Sequence, residues 1–196
     1  IEEIYDSAFE GNQTITCVEI EEGVKSIGRK AFASCSSLIE ISIPASVTSI
    51  GNYTFNNCSS LADVVIEDRT SELTLGSNGS SPLFASCPLD SVYIGGKIKY
   101  NTSSSSGYSP FYRNTSLRTI VITDEEEEIY DNEFYGCNNL SSITLGDSIK
   151  SIGDYAFYGC SKLAEVTIPN KTTSLGEYCF SGNSLLANID LGNGLK

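Results

Sequence analysis

All eight phenylalanines of this chain occupy one register of a repeating unit. They are Phe9, Phe32, Phe55, Phe84, Phe111, Phe134, Phe157 and Phe180, at spacings of 23, 23, 29, 27, 23, 23 and 23. A chain that keeps one phase over its whole length is a stack of like units, each burying its apolar face on the next. A single irregular core has no reason to keep such a phase. A second register is filled by Ile15, Leu38, Leu61, Leu89, Leu117, Leu140, Leu163 and Leu186, at spacings of 23, 23, 28, 28, 23, 23 and 23. Two neighbouring units therefore carry five extra residues each.

The unit reads LxxIxIPxxVxSIGxxAFxxCxx. In its first half Ile41 and Ile43 alternate with polar residues, as do Val18 and Ile20, Val64 and Ile66, Val92 and Ile94, and their later equivalents. β-Branched residues at period two predict short strands with one buried face. Units of constant length set these strands side by side in parallel. The expectation is one continuous sheet of eight strands, about 34 Å long at ~4.8 Å per step. A second inward pair follows (Val24 and Ile27, Val47 and Ile50, Ile149 and Ile152), then a glycine (Gly28, Gly51, Gly76, Gly153, Gly176) read as a positive-φ turn. The Ala-Phe step predicts a short helical or 3₁₀ turn with the ring inside. Three residues after each Phe stands Asn12, Cys35, Cys58, Cys87, Asn114, Cys137, Cys160 or Asn183. Both types are small and can reach a backbone group in a tight turn. This spacing of leucines and Asn or Cys is that of leucine-rich repeats. The fold class expected is a right-handed, mostly β, leucine-rich-repeat superhelix with a parallel sheet and short helical or 3₁₀ turns.

The full pattern LxxIxIPxxVxSIGxxAFxxCxxL resembles the BspA-type (Treponema-type) leucine-rich repeat. The stretches KSIGDYAFYGCSKL (150–163) and VKSIGRKAFASCSSL (24–38) carry the likeness, which covers essentially the whole chain. The resemblance implies a secreted or cell-surface protein and a role in adhesion through protein–protein contacts. The partner it implies is a protein ligand such as a host matrix or cell-surface protein. It brings no catalytic residue, cofactor or metal to carry over. A structural spacer, holding another domain away from a cell surface, is the alternative. The departures from the pattern are the lengthened third and fourth units and Glu126, where an inward Val or Ile belongs.

Composition narrows the function classes. The net charge of −13 repels polyphosphates and anionic membranes, which argues against nucleic-acid binding. There is no histidine, so Ser-His-Asp and Cys-His catalysis are excluded, along with the commonest zinc ligand. No apolar run approaches a membrane span. No P-loop, GxGxxG or GxSxG motif occurs, and the chain reads as non-enzymatic. It opens in the second half of a unit and closes in the first half of one. One solenoid of about eight units is expected over residues 1–196, cut mid-repeat at both ends, with longer loops within 61–116.

Five of the seven cysteines share one register: Cys35, Cys58, Cys87, Cys137 and Cys160. Equivalent Cβ atoms in stacked units point the same way and stay about 5 Å apart, wider than the ~3.8 Å a disulfide prefers. Buried, reduced, unmetallated thiols are expected, with disulfides or a metal as the competing readings. The run Asp124–Glu128 is either a calcium loop or a solvated loop; unbroken charge favours the second. Eight N-x-S/T sequons occur, at Asn12, Asn52, Asn57, Asn78, Asn101, Asn114, Asn139 and Asn170. They carry meaning only in a eukaryotic secreted product. Tyr112, Tyr135 and Tyr158 each follow a repeat Phe and should form a stripe on the convex side. The extra residues fall around 77–82 and 101–110, as Ser/Gly-rich loops.

The candidate binding surface is the outward side of the strands. There Val65, Tyr93 and Val121 should lie side by side, rimmed by Glu40, Asp63 and Glu67. An apolar trio with one tyrosine and a charged rim has the anchor-and-rim pattern of a protein interface. The partner would be neutral or basic.

Overall fold

The computed structural model describes residues 1–76, 81–100 and 109–195. The loop segments 77–80 and 101–108, with the sequons at Asn78 and Asn101, lie outside them. Fifteen strands, numbered β1–β15 along the chain, are found among the described residues, and every pairing is parallel.

The strands form two ladders, where a single sheet was expected. The first holds the predicted strands: β3 (Glu40–Ile43), β5 (Asp63–Ile66), β7 (Ser91–Ile94), β9 (Thr119–Ile122) and β11 (Ser142–Thr144), followed by the pair β13 (Glu165–Thr167) and β15 (Asn188–Asp190). The first unit contributes no strand around Val18–Ile20. The second ladder is built from the Ser-Ile step. It comprises β1 (Glu3–Ile4), β2 (Ser26–Ile27), β4 (Ser49–Ile50), β6 (Leu73–Leu75) and β8 (Ile98–Lys99), then β10 (Glu128–Ile129), β12 (Ser151–Ile152) and β14 (Ser174–Leu175). Two residues are too few for sequence periodicity to register as a strand. They pair because the stack holds them in line with their equivalents.

The bends around each Phe form a third set of contacts along the axis. Backbone N–H groups of Phe9, Phe32, Phe134 and Phe157 donate to carbonyls of the next unit at 2.8–3.0 Å. The second residues before and after the Phe do the same, as Lys30 to Asn52 and Ser34 to Asn56. Bonds from i to i−3, such as Cys35 N–H to Phe32 O, close each bend as a 3₁₀ turn would. No helix develops among the described residues, because left-handed residues bracket the Phe: Lys30 (φ 58°) and Ser34 (59°), Tyr155 (56°) and Gly159 (72°). The expected helical turn is thus a hydrogen-bonded bend.

The glycines after the Ser-Ile step are not there for positive φ. Gly28, Gly51, Gly76, Gly153 and Gly176 are absent from the left-handed residues. What they provide is close approach between units. A Cβ on Gly51 would lie 2.5 Å from Arg29 N and 2.7 Å from Gly28 C, both backbone atoms of the unit before. Gly51→Ala is therefore expected to wedge two units apart and to cost about 1–3 kcal/mol. A urea melt against wild type checks this; an unchanged midpoint would contradict it.

The interior is one column. The eight phenylalanines stack ring on ring with centroids 5.2–5.8 Å apart and interplanar angles of 1–14°. Leu38, Leu61, Leu89, Leu117, Leu140 and Leu163 are fully buried beside them. Apolar side chains are exposed at the two ends, with Ile1, Tyr5 and Phe9 at one and Leu185, Ile189 and Leu191 at the other.

The third unit has an irregularity that sequence reading missed. It runs two residues longer between Ile66 and Leu75 than the preceding unit does between Ile43 and Ile50. Arg69 turns inward there and is buried. Its guanidinium donates to the carbonyls of Val47 (2.6 Å), Ile43 (2.9 Å) and Pro44 (2.9 Å). It ties the longer loop to the one before it.

Candidate functional site

The register of the first ladder fixes what lies on its outward side. Val65 pairs with Tyr93, and Tyr93 with Val121; Ser42 and Thr144 continue the row at either end. The predicted trio is therefore contiguous. Val65 is exposed and Tyr93 and Val121 are half-buried, although the inward neighbours Val64, Val92 and Ile120 are fully buried. Two residues earlier in each strand, Glu40 pairs with Asp63 and Asp63 with Ser91, which sets the two carboxylates side by side.

The carboxylates of the rim are partly engaged. Ser91 Oγ donates to Asp63 Oδ1 (2.5 Å) and Ser42 Oγ donates to Glu67 Oε1 (2.6 Å). Glu40 is exposed. A fourth acid, Asp68, was not anticipated. Tyr93 Oη donates to its Oδ1 at 2.6 Å, and this bond pushes the phenol above its ordinary range. Asp68 thus holds the Tyr93 ring in one orientation over the sheet. A fixed aromatic ring loses less conformational entropy when a partner packs on it.

The tyrosine stripe also exists, on the bends. Tyr112, Tyr135 and Tyr158 stack with 5.0 Å between successive centroids. Tyr155 packs against Tyr135 and Tyr158 at 6.5 and 5.7 Å and stacks on Tyr178 at 5.1 Å, which enlarges the stripe to a cluster of five. The additional pair stands two residues before its Phe, a register not singled out in the sequence.

The five in-register cysteines are free and buried. Each thiol donates to the carbonyl of the Phe one unit earlier: Cys35 to Phe9, Cys58 to Phe32, Cys87 to Phe55, Cys137 to Phe111 and Cys160 to Phe134, at 3.0–3.4 Å. This register provides a hydrogen bond between units as well as a small side chain. Asn114 meets a similar need, its Nδ2 donating to Cys87 O at 2.8 Å. Cys17, outside this register, is exposed.

The acidic run is not wholly a solvated loop. Glu126 turns inward and is buried. Its carboxylate accepts the Ile98 N–H (2.9 Å) and the Glu127 N–H (2.9 Å). It occupies the place where β8 and β10 would otherwise pair, and the second ladder is interrupted there. Asp124 accepts the Asp147 N–H at 2.6 Å, and Glu127 pairs with Lys97 and Lys150. Three of the five carboxylates thus have partners within the chain.

A second interior carboxylate went unnoticed. Glu133 stands immediately before Phe134, where other units have Ala8, Ala31, Thr54, Leu83, Pro110, Ala156 or Cys179. It is the one charged residue among these, and that was the available signal. Burial pushes its carboxyl up to about 8, and the nearby Glu126 and Glu128 charges add to the effect against the stabilising Tyr130 N–H. The hydroxyl of Tyr100, itself buried and without a well-formed hydrogen bond, lies against it.

A family model described as "BspA type Leucine rich repeat region (6 copies)" matches the chain twice, over residues 1–106 and 104–196. No protein with a curated description matches. Among solved structures, a leucine-rich repeat protein from Bacteroides ovatus is 22% identical at a TM-score of 0.67, covering all of this chain and 56% of its own. A "leucine rich cell surface protein" from Faecalibacterium prausnitzii is 27% identical at a TM-score of 0.55, over 96% of this chain and 42% of its own. The T. pallidum leucine-rich repeat protein is 23% identical at 0.60, over 94% of this chain and 71% of its own. The chain thus spans about half the length of the first two.

Proposed function

The chain belongs to the BspA-type leucine-rich repeat family, and we propose that it is a non-catalytic protein-binding module of a secreted or cell-surface protein. The binding face in this reading is the outward side of the first ladder, at Glu40, Asp63, Val65, Glu67, Tyr93 and Val121. The observation that carries it is the pairing of Val65, Tyr93 and Val121 across three adjacent strands. Three apolar side chains in a row on the solvent side, one of them held by Asp68, offer a small desolvated anchor. The carboxylates beside them select a neutral or basic partner and steer its approach. A cell-surface setting is supported by the similarity to the Faecalibacterium cell-surface protein.

The test is a pull-down of candidate matrix and cell-surface proteins, followed by titration of any captured partner. Tyr93→Ala should weaken binding at least about tenfold, as expected of a truncated interface anchor. Its melting temperature should stay close to wild type, because the ring packs on the outside of the sheet. Undiminished binding by Tyr93→Ala combined with Val121→Ser would move the binding face elsewhere.

A further inference from the structure

We propose that the tyrosine ladder on the bends is a second docking surface, which takes an arginine side chain from an extended, basic polypeptide. The chain itself contains the precedent. Arg113, the second residue after Phe111, sets its guanidinium carbon 5.3 Å from the Tyr112 ring centroid and 5.6 Å from that of Tyr135. One cation thereby straddles one pair of stacked rings. Its side chain lies across Gly136, where a Cβ would meet Arg113 Cγ at 3.0 Å.

The next ring pair, Tyr135 and Tyr158, repeats the same 5.0 Å step. The guanidinium does not repeat, because the residue in the Arg113 register is Gly136. The position equivalent to the one Arg113 crosses is Gly159, where an added Cβ would meet only Gly136 Cα, at 3.9 Å. The same aromatic arrangement is therefore present with room above it. Guanidinium is the cation that suits it, being planar, weakly hydrated and attracted to tyrosine faces. On the other flank Asp154 and Glu177, both exposed, immediately precede Tyr155 and Tyr178. With the net charge of −13 they favour a basic partner over a neutral or acidic one. This surface is on the bends and not on the strand face, so the two readings stand or fall separately.

The experiment is calorimetric titration of the full chain with the blocked peptide Arg-Gly-Arg-Gly-Arg, compared with its lysine and serine analogues. Gly159→Arg puts a bulky side chain on the position that a bound arginine would cross and should block the site. The substitution is conformationally tolerable, since Arg113 adopts φ 54° in the same register. Gly159→Arg and Tyr158→Ala are each expected to weaken arginine-peptide binding by about fivefold or more, the scale of a cation–π contact. Asn57→Arg adds the same charge in the same register of a unit without ladder tyrosines, and should change affinity less than about twofold. The lysine peptide should bind more weakly and the serine peptide not at all. Equal melting temperatures would show that the variants are folded. The proposal is overturned if wild type does not bind the arginine peptide, or binds the serine peptide equally well. It is also overturned if Gly159→Arg and Tyr158→Ala leave affinity unchanged, or if binding is lost on Tyr93→Ala instead.

Discussion

Replacing Glu133 with Gln is expected to stabilise the protein above neutral pH and to flatten the pH dependence of its stability. The carboxyl is buried, and burial is the main reason its pKa is raised from 4.5 to about 8. The sign follows from proton counts. Between these two values the folded state holds a proton that the unfolded state has released, so stability falls as pH rises through the window. Below about 4.5 the group costs nothing, and above about 8 the whole penalty is present. At about 1.4 kcal/mol per pH unit the loss has an upper value on the order of 5 kcal/mol. Glu126 is raised by burial as well and acts in the same direction.

Gln reproduces the neutral form. Its amide oxygen can accept the Tyr130 N–H that Glu133 Oε2 now accepts at 2.8 Å, and its amide N–H can donate to the unsatisfied Tyr100 hydroxyl. Thermal melts at pH 5.5 and 8.5 decide the matter. Wild type should lose far more stability between them than Glu133→Gln, whereas equal losses would place the pH sensitivity in the surface charge.

Phe134→Ala is expected to cost about 3–5 kcal/mol, in the range for removing a fully buried Phe. The ring is completely buried and stacks on Phe111 at 5.4 Å and on Phe157 at 5.3 Å. No neighbour can close the gap, because the bends on either side are fixed by backbone bonds between units. Phe9 is 40% exposed and has one stacking neighbour, so Phe9→Ala should cost less than half as much. Denaturant titration of both variants checks the contrast. Equal losses would mean that the column is not the main source of cohesion. In a one-dimensional stack the central substitution should also weaken coupling between the two halves, seen as a broadened or two-step transition.

The repeat length, the inward positions and the placement of Val65, Tyr93 and Val121 in one row were all legible in the sequence. The physical reason is that a solenoid converts sequence phase directly into spatial neighbourhood: residues one repeat apart must lie one strand spacing apart. The same reasoning located the phenylalanine column, the buried thiols and the first three tyrosines of the ladder. Tertiary structure alone decided what depended on a partner in the neighbouring unit. A two-residue Ser-Ile step becomes a strand only when its equivalents flank it. The glycine after it is required by backbone 2.4–2.8 Å away in the unit before, which no local propensity records. The bends resist helix formation because their N–H groups already have acceptors one unit along. Arg69, Glu126 and Glu133 are charged side chains, which composition alone assigns to solvent, although the repeat register had set Glu126 at an inward position. They lie inside because the irregular third to fifth units leave backbone carbonyls and N–H groups that only a long polar side chain could reach.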